Sequence, residues 1–216
     1  MAKIFQVSAR AAMAHVIEPT ARRLIAWGVT PNQVTVAGTI GVVGASVGLG
    51  ATGHFIAGAL VVTVFALVDL VDGTMARLSG GSTRFGALLD STMDRIADGA
   101  IVGTVIYILA GRGDRWGVVG GIVCLVLGAV VSYVKARAEG LGMTANVGIA
   151  ERAERLIIIG VGGLLAGFGL AWGFAAAIWF LAALSTITVG QRLAYVYKQA
   201  KAADEADRAR AAESPS

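Results

Sequence analysis

Charge is scarce in this chain. Asp, Glu, Lys and Arg make up 15% of its 216 residues, against 56% hydrophobic residues and a mean hydropathy of +0.73. That shortage leaves no soluble basic domain, so the net charge of +4 does not point to nucleic acid. There is one cysteine, Cys124, set in an apolar run, which excludes an intrachain disulfide and reads as core or lipid-facing filler. The two histidines lie outside the stretch that holds half of the aspartates, and so does Cys124, which argues against a zinc site of the usual type. No Ser-His or Cys-His arrangement suggests a covalent intermediate. The N-terminus shows no signal-peptide pattern, because Lys3 and Arg10 are not followed by a long apolar core. What the chain has in excess is glycine, 30 residues, where a soluble domain carries about 7%. Apolar and glycine-rich, it reads as an all-α integral membrane protein of one domain, with glycine serving close helix packing in lipid.

Residues 1–28 read as an amphipathic juxtamembrane arm. Ile4, Val7, Met13, Val16, Ile17, Leu24 and Ile25 alternate with Arg10, Arg22 and Arg23, and Pro19 is expected to break the helix. Thr30-Pro31 is a helix start, a capping hydroxyl followed by proline at the first helical position. Six spans are expected within a 31–199 core: 31–52, His54 to Leu78, Thr83 to Ala110, Trp116 to Glu139, Arg155 to Leu170, and Trp172 to Tyr197. Residues 200–216 form a polar, alanine-rich tail, expected to be helical at first and then frayed. With six spans, 16 of the 18 lysines and arginines fall on the side of the termini, leaving Arg112 and Arg115 on the other. That asymmetry places the termini, and the links near 79–83 and 140–151, in the cytoplasm.

The informative stretch runs from Asp69 to Asp94. Asp69, Asp72, Asp90 and Asp94 sit in it, with Asp98 one turn further, between two long apolar runs. Carboxylates at membrane depth are expensive and mark functional sites, and four together repel one another unless a cation joins them. Asp69 and Asp72 are three apart, and Asp90 and Asp94 four apart, so each pair shares a helix face. The polar link L-S-G-G-S-T between the pairs reads as a turn that folds two antiparallel helices onto one spot. All-oxygen ligands suit a hard cation, Mg²⁺ or Mn²⁺. Gly73, Ala76 and Gly86 are small residues beside the acids. They leave room for a flat or phosphate-bearing ligand, or else serve helix packing alone.

The string D-x-x-D-G-x-x-A-R-x8-G-x3-D-x3-D is present from Asp69 to Asp94 without departure. It resembles the signature of the CDP-alcohol phosphotransferases, integral membrane enzymes with six spans. The resemblance implies that Asp69, Asp72 and Asp90 hold two metal ions, and that Asp94 contributes to the second and acts as general base. It implies that Gly73, Ala76, Arg77 and Gly86 border the CDP moiety of CDP-diacylglycerol. Pro31, Asn32, Gln33, Val34 and Thr35 look like the nucleotide-contacting start of span one, and Thr83 is a further candidate. Arg77 also has a structural reading, snorkelling or pairing with an acid.

A basic group lies in the second half: Lys135 and Arg137 in S-Y-V-K-A-R-A-E, Arg152 and Arg155 in E-R-A-E-R-L-I-I-I, and Arg192 in V-G-Q-R-L. These cations suit an acceptor alcohol that already carries a phosphate. Arg137 and Arg152 read better as positive-inside anchors, and Lys135, Arg155 and Arg192 as functional. The first two strings look like one branch of the family, the actinobacterial phosphatidylinositol-phosphate synthases. That resemblance implies an acceptor pocket of Lys135, Arg155, Arg192 and Ser132, with Asp94 or Arg95 nearby. It also implies 1D-myo-inositol 3-phosphate as acceptor, a homodimer, and a multi-pass place in the plasma membrane. The nearest rival is phosphatidylglycerophosphate synthase, whose S-R-E…S-G-L-R-E type of stretch is missing. A cation transporter with intramembrane aspartates is the alternative from another class. It explains the acids but not the spacing of Gly73, Ala76 and Gly86.

Overall fold

The computed structural model describes residues 17–213. Seven helices account for most of them, with no strand among the described residues. Helix α1 covers residues 17–26 and α2 Pro31–Ala45, which continues as a π-helical turn, Ser46–Gly50. Then come α3 (Phe55–Leu78), α4 (Arg84–Gly111), α5 (Arg115–Gly140), α6 (Arg152–Gly167) and α7 (Gly173–Glu213). Two compact units divide the chain after Thr104, inside α4.

The first unit is built on α2 against α3. Thr30 caps α2 through a capping box: its hydroxyl accepts from Gln33 N at 3.3 Å, and its own N–H donates to Gln33 Oε1 at 2.9 Å. Small residues on α2 let α3 come close; a Cβ at Gly41 would lie 2.3 Å from the Phe65 ring. The π turn is a departure from the plain helix expected there. Ala51 N–H reaches back five residues to Ser46 O, and Gly50 meets α3 at Gly58. Ala21 of α1 is fully buried against Val34 and Met75, with Leu24 and Ile25 packed on the same cluster. Arg22 and Arg23 are exposed. Within the described residues Pro19 lies in the first turn of α1, a position where proline is tolerated. Ile4, Val7, Arg10, Met13 and Val16 lie outside the described residues.

The second unit is built on α7, which packs along both α5 and α6. Glycines again set the closest approaches: a Cβ at Gly120 would lie 2.8 Å from Trp179, and one at Gly162 2.6 Å from Ala177. The α5–α6 link, 141–151, is tied to α7. Thr188 accepts from Ile149 N and Ala150 N, and Gln199 pairs with both N–H and C=O of Thr144. Helix α7 continues through the first part of the tail to Glu213, with Lys201–Glu205 and Asp207–Arg210 pairs along it.

Among the described residues, four segments are long and apolar enough to cross a membrane: Pro31–Gly50, Phe55–Leu78, Arg115–Gly140 and Gly173–Arg208. Large apolar side chains such as Leu60, Val64, Ile122 and Val126 are exposed on them, as lipid contact requires. The chain is a multi-pass membrane protein. The other two expected spans coincide with α4, whose first half carries Asp90, Asp94, Arg95 and Asp98, and with α6, which has only 16 residues.

Candidate active site

Three of the four aspartates come together. Asp69 and Asp72 lie one turn apart on α3, and Asp90 lies on α4, with ligand oxygens from all three within 4.8 Å of one another. Local sequence explains the approach. Helix α3 ends at Leu78; Gly80 (φ 96°) and Gly81 (φ 113°) take the left-handed backbone that reverses the chain, and Gly81 N–H closes onto Ala76 O at 2.9 Å. Thr83 then accepts from Gly86 N at 2.9 Å and opens α4. Asp72 is buried, Asp69 half-buried and Asp90 exposed, so the cluster has a closed side and an open one. Three hard oxygen donors at this separation fit a divalent cation.

Asp94 lies one turn beyond Asp90 and outside that three-residue group. Its carboxylate is 3.6 Å from Arg95, which is equally close to Asp98.

The expected nucleotide contacts divide. Asn32, Thr83 and Gly86 converge: a Cβ on Gly86 would sit 3.0 Å from Thr83 Oγ1 and 3.2 Å from Asn32 Oδ1. The space over Gly73 is bounded by the guanidinium of Arg77, 3.8 Å from where its Cβ would be. Arg77 also donates to Thr74 Oγ1 at 2.8 Å, which holds it on the Gly73 side of α3. Ala76 is half-buried on the same helix. By contrast, Gln33 is engaged in the capping box, Val34 is buried against Ala21 and Met75, and Pro31 opens the helix. Thr35 donates to Asp72 Oδ2 at 2.5 Å and to Pro31 O at 3.1 Å.

In the second unit, the basic residues gather along one stretch of α5. Ser132 Oγ and Arg155 Nη1 both donate to Gly128 O, at 3.2 and 3.3 Å. Arg192 Nη1 donates to Val131 O at 2.6 Å, its Nε to Val147 O at 2.8 Å, and its Nη2 reaches Glu151 at 3.4 Å. Lys135 follows one turn after Val131 and is half-buried. Arg155 and Arg192 are both buried, whereas Arg137 is exposed near the end of α5. Nothing in the sequence announces the carbonyls of Gly128, Val131 and Val147 as partners, nor the carboxylate of Glu151. Backbone acceptors leave no signature in side-chain spacing.

Residues 28–189 match the CDP-alcohol phosphatidyltransferase family, and the chain belongs to it. It is therefore a transferase of phospholipid synthesis. Among its relatives, the phosphatidylinositol phosphate synthase of Mycobacteroides abscessus is 45% identical over 186 residues, covering 85% of this chain and 84% of that protein. The phosphatidylinositol phosphate synthase of Mycobacterium marinum is 46% identical over 199 residues, covering 90% and 85%. Two crystal structures of the Mycobacterium tuberculosis phosphatidylinositol phosphate synthase share the fold. The one with CDP-DAG bound has a TM-score of 0.81 at 42% identity, covering 85% of this chain and 94% of that one. The one in complex with manganese and citrate has a TM-score of 0.80 at 43% identity, covering 84% and 88%.

Proposed function

We propose that this chain is a phosphatidylinositol-phosphate synthase. It transfers the phosphatidyl group of CDP-diacylglycerol to 1D-myo-inositol 3-phosphate and releases CMP. The observation that carries the reading is the group of three carboxylates within 4.8 Å, set beside the open space over Gly73. The similarity to phosphatidylinositol phosphate synthases over most of the chain supports the choice of acceptor.

In this reading Asp69, Asp72 and Asp90 hold two Mg²⁺ ions, which Mn²⁺ can replace, with Asp94 contributing to the second. A divalent cation there supplies charge neutralisation at the diphosphate and stabilises the departing phosphate. Asn32, Thr83 and Gly86 receive the nucleotide, Gly73 and Ala76 leave space for the diphosphate, and Arg77 lies against it. Lys135, Arg155, Arg192 and Ser132 bind the phosphate of the acceptor. Asp94 takes the proton from the attacking hydroxyl. That oxygen bonds to the phosphorus bearing diacylglycerol, and the bond from this phosphorus to the CMP oxygen breaks. The protein is a homodimer with six spans in the plasma membrane, its arm on the cytoplasmic surface and its acids facing the cytoplasm.

The test is CMP release from CDP-diacylglycerol with a panel of acceptors: inositol phosphate, inositol, glycerol 3-phosphate and serine. Inositol phosphate is expected to be preferred. Preference for glycerol 3-phosphate moves the chain to the phosphatidylglycerophosphate branch. No release with any acceptor, but cation uptake in vesicles, favours the transporter.

A further inference from the structure

Thr35 and Asp72 form a buried pair joining two helices of the first unit. Thr35 is on α2 and Asp72 on α3, 37 residues apart in sequence, and both are nearly inaccessible, at 8% and 5% exposure. A threonine hydroxyl carries one proton and two lone pairs. In this pair Oγ1 lies 2.5 Å from Asp72 Oδ2 and 3.1 Å from Pro31 O, so the carboxylate is the nearer acceptor of the hydroxyl's hydrogen bond. Thr35 itself is held by its place on the helix: Thr39 donates to Thr35 O at 3.1 Å, and the next residue back, Val34, is locked between Ala21 and Met75. One oxygen of Asp72 is therefore tied to a fixed donor, which sets the plane of the carboxylate before any ion arrives.

The geometry points to Thr35 as a positioning residue for the divalent-cation site, acting through Asp72 rather than as a contact to the nucleotide. A hydrogen bond from a neighbouring side chain that orients a ligating carboxylate typically changes metal affinity by about 10- to 100-fold when removed. The inference rests on the proposed cation site of Asp69, Asp72 and Asp90.

The test is Mn²⁺ binding to the purified, detergent-solubilised protein without substrate, read by electron paramagnetic resonance. Thr35→Val removes the hydroxyl at nearly constant volume and is expected to weaken Mn²⁺ binding by about tenfold or more. Thr35→Ser keeps the donor and is expected to bind Mn²⁺ within about twofold of the parent protein. Thr39→Val, a buried threonine one turn along the same helix, is expected to leave binding unchanged. At saturating Mn²⁺ the KM for CDP-diacylglycerol of Thr35→Val is expected to match the parent. Parent-like Mn²⁺ binding by Thr35→Val overturns the inference, as does a raised KM for CDP-diacylglycerol at saturating metal. Should Thr35→Val not fold, Thr35→Ala is measured instead, with the same expected loss. If the parent protein binds no Mn²⁺, or Asp69→Asn leaves its binding untouched, the cation site itself is wrong, which is distinct from failure at Thr35 alone.

Discussion

Ser132 and Arg155, one on α5 and the other on α6, donate to the same carbonyl, that of Gly128. The shared acceptor fixes where a buried guanidinium can point and puts a hydroxyl beside it. If that pair receives the acceptor's phosphate, Arg155→Ala should raise the KM for inositol phosphate by about tenfold or more, the loss that follows from removing a charged hydrogen bond. The KM for CDP-diacylglycerol should move far less. Lys135→Ala should behave in the same way. Steady-state kinetics with each substrate varied in turn checks this, and equal changes in both constants count against the pocket.

Arg192 has a heavier structural duty. Its guanidinium ties Val131 O on α5 to Val147 O and Glu151 in the α5–α6 link. Removing it leaves buried carbonyls without that donor, at a cost of about 1–3 kcal/mol for each group left unsatisfied. Arg192→Ala should therefore lower the unfolding temperature in detergent as well as activity. Glu151→Gln should change stability much less, because Glu151 sits at the exposed end of the pair.

Two glycines separate ligand space from packing space. A Cβ at Gly41 would strike the Phe65 ring, so Gly41→Ala should destabilise the protein by about 1–3 kcal/mol through overpacking. A Cβ at Gly73 would meet nothing nearer than Arg77 at 3.8 Å. Gly73→Ala should therefore keep the parent's unfolding temperature yet raise the KM for CDP-diacylglycerol severalfold. Thermal unfolding and kinetics on both variants check the contrast, and an unchanged KM for Gly73→Ala means the ligand does not occupy that space.

The acid cluster is readable from sequence because its geometry is local. Three-residue spacing puts Asp69 and Asp72 on one face, and two glycines announce the reversal that returns Asp90 to them. Helix limits are readable for the same reason: Phe55–Leu78 and Arg115–Gly140 fall within a residue of where apolar runs and caps put them. One departure comes from tertiary contact: Ser46–Gly50 winds as a π turn where Gly50 meets Gly58. Alanine and spaced ion pairs carry α7 through the start of the tail, which its composition marks as helical, as far as Glu213. In the second unit the backbone carbonyls that aim Arg155 and Arg192 are not legible, because main-chain acceptors leave no mark in side-chain spacing.

Asp94, one turn beyond Asp90 on α4, is the residue proposed to take the proton of the attacking hydroxyl. Asp94→Asn should lower turnover by about 100-fold or more while the protein folds normally. Near-normal turnover removes it as the base.

The most direct measurement is CMP release from CDP-diacylglycerol and inositol phosphate by protein stripped with EDTA and then titrated with Mg²⁺. The stripped protein should be silent, Mg²⁺ should restore it, and Asp69→Asn, Asp72→Asn and Asp90→Asn should each demand far more metal or fail to recover. Full CMP release by the stripped protein, or Mg²⁺ curves for those three variants that overlay the parent's, would contradict the role of the clustered acids as metal ligands.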